Sequence, residues 1–516
     1  MTENRRIALN VVATYGRTIF SIACGLFAGR WTLMSLGEVD YGLYGVVGGL
    51  AGFISFLNDL MAAAVGRFYA YSVGQAKVAG GEGVEICRKW FNTALVVHTV
   101  IPVVLIVIGY PIGAWMVENW LTIPPDRIEA CRCVLRCVCV TCFIGMVSVP
   151  FRAMYGAKQY IAELTVYGVV QTACNVLFLY YMVTHPGTWL TRYAIWSCVL
   201  NSTPLLIISF RALSVFPECK IRASYFWNVP RFRGLFVFAA YRCGGALCGV
   251  LSQQGMTLLV NKQIGPAKNA AMSIGSTVAG YSQTFASSTS AAFYPAITNA
   301  AGEGDWDKMR RLSFVSCKLA AALVLIFAIP LLLEVQEVMV LWLKNPPEGA
   351  AIICSSLLLA AVLENITCGH YMTIFSVGKI RGYQICVSLC GVAVLPIAFA
   401  GMVCGWGLAG VGVALVVSNA LCVIVRLYFA QVVGGLSATY WTCRVLLPLL
   451  VCSSIGILPG LLVVSWWNAS FARVCATTCA IEIAFLPLLW FLLFGAEERA
   501  YVRNRAVRIF QRVGMR

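Results

Sequence analysis

Charge is scarce in this sequence. Only 11% of its 516 residues are Asp, Glu, Lys or Arg, where soluble domains carry about 25%. A chain so poor in charge cannot cover a water-facing surface, which excludes an ordinary soluble domain. Acids are the scarcer sign, 21 against 38 Lys and Arg. Histidine is rarer still, with three residues, and the cysteines show no second pair at zinc spacing, so no metal or cofactor site is expected. Long polar stretches are also missing: the connections between apolar runs are short, and none could house a separate catalytic domain. The opening MTENRRIALN and the run behind it lack a small-residue cleavage site after a short apolar core, so they read as a retained helix and not a signal peptide.

What the chain has in quantity is apolar length. Sixty per cent of it is hydrophobic, and crossing a hydrocarbon layer of about 30 Å takes roughly 20 apolar residues. Gly and Pro are scattered through the apolar runs, as membrane helices tolerate. The expected fold is an all-α integral membrane protein of about 14 transmembrane helices, at residues 8–33, 41–70, 91–117, 131–149, 161–184, 190–210, 235–260, 267–297, 312–333, 350–377, 383–404, 408–431, 445–466 and 472–494. Lys and Arg follow the even-numbered spans: Lys77, Arg88 and Lys89; Arg152 and Lys158; Arg211, Lys220, Arg222, Arg231 and Arg233; Lys308, Arg310 and Arg311; Lys379 and Arg381. The opposite connections hold Glu38, Asp40, Glu118, Asp126, Glu334, Glu337 and Glu348. By the positive-inside rule both termini are cytoplasmic, which requires an even number of spans.

The net charge of +17 follows from that topology and from a basic tail, with no base-stacking module beside it, so nucleic acid is not an expected partner. In the tail, Val502, Ala506, Ile509 and Val513 fall at helical spacing opposite Arg505, Arg508, Arg512 and Arg516, as in a helix lying on an anionic inner leaflet. The 23 cysteines, including CRCVLRCVC at 131–139, lie almost entirely in expected spans and read as small apolar residues.

The chain also repeats itself. At a shift of 228 residues, Leu36, Gly37, Asp40 and Gly42 fall on Ile264, Gly265, Lys268 and Ala270, and Ala62–Ala64 fall on 290–292. At a shift of 221, Gly156, Ala157 and Lys158 meet Val377, Gly378 and Lys379. The matches keep their order and their place in the helix count, which points to two six-helix halves. Because six is even, the halves are parallel repeats, as in transporters that rock one half against the other. Gly37, Asp40 and Gly42 read as a polar turn on the outer face between the first two spans.

Charge inside a span costs about 2.5–3.5 kcal/mol even on the lenient insertion scale, so it tends to face protein or a wet cavity and to serve function. Here the intramembrane charges are mostly arginines of the first half: Arg17, Arg30, Arg67, Arg132, Arg136 and, early in the seventh span, Arg242. Arg30, Arg67 and Arg132 also lie within snorkelling reach of an interface. The second half offers Glu364, His370, Glu482 and Lys318. His98 and His370 read as structural. Several guanidinium groups suit an anion of more than one charge, since each presents a rigid fork of donors and keeps its proton. A proton- or sodium-coupled carrier would instead display buried carboxylates. The expected substrate-binding cations are Arg17, Arg67, Arg242, Arg30 and Arg136, and the candidate coupling or gating acids are Glu364, Glu482 and Asp40.

The NVVATYGRTIF helix, the LGEVDYGLYGVV turn, a small-residue run ending in GRFYAYSVGQ and the GAKQYIAEL turn before the fifth span together resemble the polysaccharide transporter branch of the multidrug/oligosaccharidyl-lipid/polysaccharide exporter superfamily. Its Wzx-type members are bacterial flippases for undecaprenyl-diphosphate-linked oligosaccharides, and the resemblance spans essentially the whole chain. It implies two six-helix bundles in a V, two extra C-terminal helices, an alternating-access cycle and a cationic central cavity for the diphosphate. The implied division is 1–228, 229–434, 435–495 and a tail at 496–516. Arg17 and Arg67 stand where this family tends to carry arginines, and Arg242 lies in a helix lining the same cavity; no cation site carries over. The expected function is export of a lipid-linked oligosaccharide across the cytoplasmic membrane for O-antigen, capsule or exopolysaccharide synthesis. Its partners would be that substrate, membrane lipids, and a polysaccharide polymerase with its chain-length machinery. The competing readings are a multidrug or organic-cation antiporter of the same fold, and a membrane glycan polymerase or ligase, for which the outer loops are too short.

Overall fold

The computed structural model describes residues 3–50, 65, 68–69, 81–158, 160–185, 187–495 and 499, and describes side chains at all of these except 3–19, 81–83, 161, 237–246, 281–282, 284–292 and 295. Every element among them is helical. In chain order they are α1 (Glu3–Gly49), α2 (Gly81–Trp115), α3 (Ile128–Val147), α4 (Val149–Ala157), α5 (Ile161–Thr184), α6 (Leu190–Val215), α7 (Val229–Ile264), α8 (Pro266–Glu303), α9 (Trp306–Leu333) and α10 (Val335–Leu343). There follow α11 (Ala350–Asn365), α12 (Cys368–Val377), α13 (Arg381–Val392), α14 (Val394–Val403), α15 (Gly407–Gly434), α16 (Ala438–Trp441), α17 (Leu447–Gly456), α18 (Leu458–Trp466) and α19 (Phe471–Leu488). Among the described residues nine helices are long and apolar enough to cross a membrane, or ten if the bent pair α11–α12 is one span. The helices α1, α7 and α8 occupy three further expected positions without being among those nine, and span 41–70 and the tail at 496–516 fall largely outside the described residues. The chain is thus a multi-pass, all-helical membrane protein.

Proline explains several of the breaks. Pro150 stands at the start of α4, directly after the kink at Ser148, whose hydroxyl bonds Gly145 O at 2.8 Å. Pro448 and Pro459 open α17 and α18, and a π-helical turn at Thr442–Leu446 leads into the first of them. Proline lacks the N–H that a continuous helix needs, so the single expected span 445–466 becomes a chain of short helical pieces.

The chain forms two compact units, Met1–Ser273 and Ile274–Arg516. In the first, connections gather at two ends. At one end Lys158 pairs with Glu218 at 2.5 Å, Arg88 donates to Pro217 O at 3.0 Å, and Asn92 both donates to Lys220 O and accepts from Arg222 N. These bonds clamp the linker before α7 onto α2 and α4. At the other end Arg127 pairs with Asp40 at 2.8 Å, Thr122 N donates to the Asn261 side chain, and Lys262 donates to Trp120 O. Each end has its own apolar core, one around Phe91, Phe151, Tyr155, Phe216 and Leu235, the other around Leu43, Val47, Cys131, Val134, Leu179 and Trp189.

Two glycines mark equivalent breaks. Gly37 interrupts α1 with φ 73° and ψ 171°, and Gly265 ends α7 with φ 107° and ψ 172°. Such positive φ is open to glycine and strained for L side chains. The two are the positions that the shift of 228 residues superposes. Gly42 serves a different purpose: a Cβ there would lie 1.8 Å from Pro266 O, so only a bare backbone can pass the start of α8.

The second unit has one core, in which Ala320, Ala321 and Ile329 of α9 meet Met372 of α12, Ala430 of α15, Trp441, Cys452 and, from the last span, Ile481 and Phe485. Lipid tails are as apolar as this core, so close fit and polar links between helices have to hold it. Two such links are Ser313 to Thr373 at 2.6 Å and Thr298 to Ser376 at 2.9 Å. A third fixes α19: Arg473 forks onto Glu334 with bonds of 3.1 and 2.7 Å, and Thr477 donates to the same carboxylate at 2.9 Å.

Candidate functional site

The expected anion site draws on helices of the first unit. Arg17 lies within α1 and Arg242 within α7, their side chains outside the described residues, and Arg67 lies outside them altogether. Arg30 is described: it is half-buried on α1, and its Nε is buried with no hydrogen-bond partner among the described residues. A guanidinium nitrogen in that state has a donor to offer, since a buried N–H left unbonded costs roughly 1–3 kcal/mol.

Arg136 stands in different company. Its side chain is 58% exposed on α3, donates from Nε to the Tyr110 hydroxyl at 3.3 Å, and lies 3.8 Å from Glu129. One turn earlier Arg132 bonds Glu118 at 2.7 Å and Glu129 at 3.0 Å. The two arginines therefore belong to a ladder with carboxylates at the end of the unit that also holds Asp40. Asp40 accepts from Arg127, which also reaches Asp126 at 2.9 Å. The carboxylate expected to gate thus ties the break in α1 to the start of α3.

In the second unit the polar groups converge at mid-span. The expected helix 350–377 is broken between α11 and α12 with a bend of 47°. Breaking a helix frees backbone carbonyls, and here Arg426 of α15 takes up the need: its Nη1 donates to Glu364 O at 3.1 Å and to Thr367 Oγ1 at 3.3 Å. Its Nη2 is 3.8 Å from the Glu364 carboxylate, and the Arg426 side chain is 12% exposed against 50% for Glu364. Gln283 of α8 donates to Glu364 Oε2 at 3.0 Å, while Asn365 donates to Gln283 Oε1 at 3.1 Å. Sequence reasoning singled out Glu364 and missed Arg426, Gln283 and Asn365. Arg426 carried the same signal as Arg17, an arginine flanked by apolar residues in VIVRLYFA.

Glu482 sits on α19 with both carboxylate oxygens buried and without a hydrogen-bond partner among the described residues. His98 is fully buried with Nδ1 at 2.9 Å from Ala94 O, and His370 is fully buried with Nδ1 at 3.6 Å from Cys317 Sγ, which fits structural histidines. Among the described residues no group of three His, Cys, Asp or Glu side chains is placed to hold a metal ion.

The MatE family matches residues 244–375, from α7 through most of α12. No curated protein matches the chain. Solved structures do. The lipid II flippase MurJ in an inward closed conformation aligns with a TM-score of 0.63 at 11% identity, covering 93% of this chain and 98% of that one. An inward-facing multidrug resistance MATE family transporter of the MOP superfamily aligns with a TM-score of 0.65 at 14% identity, covering 80% of this chain and 94% of that one. An outward-facing MATE family transporter aligns at 0.52 with 14% identity, over 84% of this chain and 96% of that one. At these identities the likeness is one of fold. The chain thus shares its fold with membrane transporters of the MOP superfamily and with a lipid II flippase, and its residues 244–375 match the MatE family.

Proposed function

We propose that the protein is a flippase that moves an undecaprenyl-diphosphate-linked oligosaccharide across the cytoplasmic membrane by alternating access, for synthesis of a cell-surface polysaccharide. The observation that carries this reading is the balance of intramembrane charge. Arginines outnumber acids in the spans of the first half, and two of the three acids that a cation carrier would need already have a cationic neighbour, Asp40 in Arg127 and Glu364 in Arg426. Arg17, Arg67 and Arg242 would neutralise the diphosphate and offset its desolvation, with Arg30 and Arg136 as further cations, while the lipid tail stays in the bilayer. Transport and not catalysis is the activity. The Lys- and Arg-rich connections would face the cytoplasm together with both termini, and a polymerase with its chain-length machinery would receive the flipped product.

The organic-cation antiporter has one observation in its favour, the carboxyl of Glu482 that has no hydrogen-bond partner among the described residues. The two readings part on Arg17→Ala. That variant should insert normally and lose export, with a drop in rate of roughly 100-fold if one charged hydrogen-bonding partner of about 3 kcal/mol is removed. Normal export by a well-expressed Arg17→Ala protein contradicts the role given to Arg17.

A further inference from the structure

We infer that Glu364, Gln283 and Asn365 form a sugar-binding site in the second unit that reads the glycan of the transported lipid; the inference rests on the flippase reading. A lone carboxylate at mid-span would suit a cation. Glu364 is not alone, because the buried Arg426 guanidinium lies 3.8 Å away and cancels its charge. What remains is a neutral cluster rich in hydrogen-bonding groups, which fits a neutral polyhydroxy ligand better than an ion of either sign.

The bonds within the cluster leave the right atoms spare. Gln283 spends one amide N–H on Glu364 Oε2 and its carbonyl on Asn365, so among the described residues its second N–H has no partner. Among the described residues Glu364 Oε1 makes only the long contact to Arg426 and keeps its lone pairs. An acceptor and a donor therefore stand side by side on a half-exposed carboxylate and its amide neighbour, the pairing that two adjacent sugar hydroxyls require. Both groups are also held: Gln283 by Asn365, Asn365 by Ala361 O at 2.8 Å, and the backbone at Glu364 by Arg426. Fixed side chains lose little entropy on binding.

The test compares two probes on full-length protein in nanodiscs: undecaprenyl diphosphate, and the same lipid carrying a neutral disaccharide. Gln283→Ala and Glu364→Gln should each weaken binding of the disaccharide probe by roughly tenfold, the effect of one hydrogen-bonding partner. Binding of bare undecaprenyl diphosphate should stay unchanged, which also shows that the variants are folded. Equal loss for both probes, or no loss for either, overturns the inference and leaves the flippase reading standing. Failure of the wild-type protein to bind either probe overturns the flippase reading, and the inference with it.

Discussion

The two units bury their charges at different depths. In the first, the described ion pairs gather near helix ends and in connections: Asp40 with Arg127, Glu118 and Glu129 with Arg132, Lys158 with Glu218. These pairs join one connection to another and account for the tidy placement of charge in the opening LGEVDYG. The second has end pairs too, Glu334 with Arg473 and Glu303 with Lys308, but in addition Glu364 and Arg426 meet at mid-span, at a helix break that carries a half-exposed carboxylate. Charge at a helix end has water or headgroups within reach, whereas charge at mid-depth has neither and has to be met by protein or ligand. Depth, more than residue type, thus separates the polar groups that hold the fold from those open to a substrate.

That contrast can be broken by stability measurements. The largest effect belongs to the most buried end pair. Glu334 is 2% and Arg473 10% exposed, so Arg473→Ala strands a buried carboxylate and should cost about 3–5 kcal/mol. The loss should appear as a lower thermal midpoint of the purified protein, and an unchanged midpoint would mean that α19 does not depend on this pair. Next come the paired glycines. Gly37→Ala and Gly265→Ala should each cost about 1–2 kcal/mol through forced positive φ. Similar losses at both sites would sharpen the correspondence between the two breaks, and a loss at only one would break it. The smallest effect is expected at Asp40→Asn. Its partner Arg127 is 36% exposed, so screening leaves about 0.2–1 kcal/mol, and raising the salt concentration should shrink it further; a loss as large as that of Arg473→Ala would mean that burial does not set the strength of the end pairs.

Much of the architecture could be read from the residues, because its causes are local. The fifth span was expected at 161–184 and α5 covers Ile161–Thr184, bounded by the polar KQY before it and the proline-containing HPGT after it. The turn expected from Gly37, Asp40 and Gly42 is a break at Gly37 with Asp40 and Gly42 helical, and its counterpart at Gly265 was marked by the repeat. The break between α11 and α12 could not be read in the same way. Its stabilising contact is Arg426, 62 residues from Glu364, and an apolar window through LLLAAVLENITCG shows no proline. The same limit applied to Asp40, whose partner Arg127 lies 87 residues away. Intramembrane charge could be located one residue at a time, whereas its pairing depends on tertiary contacts that no local pattern carries.

The central claim is that the intramembrane charges serve an anionic lipid-linked glycan. It is tested most directly in proteoliposomes carrying a lipid-diphosphate-linked oligosaccharide, with an enzyme outside that modifies only exposed sugar. Protein-dependent exposure of the sugar, lost in Arg17→Ala, is the predicted result. No exposure across several glycans, together with proton-driven efflux of organic cations that requires Glu364 or Glu482, would contradict it.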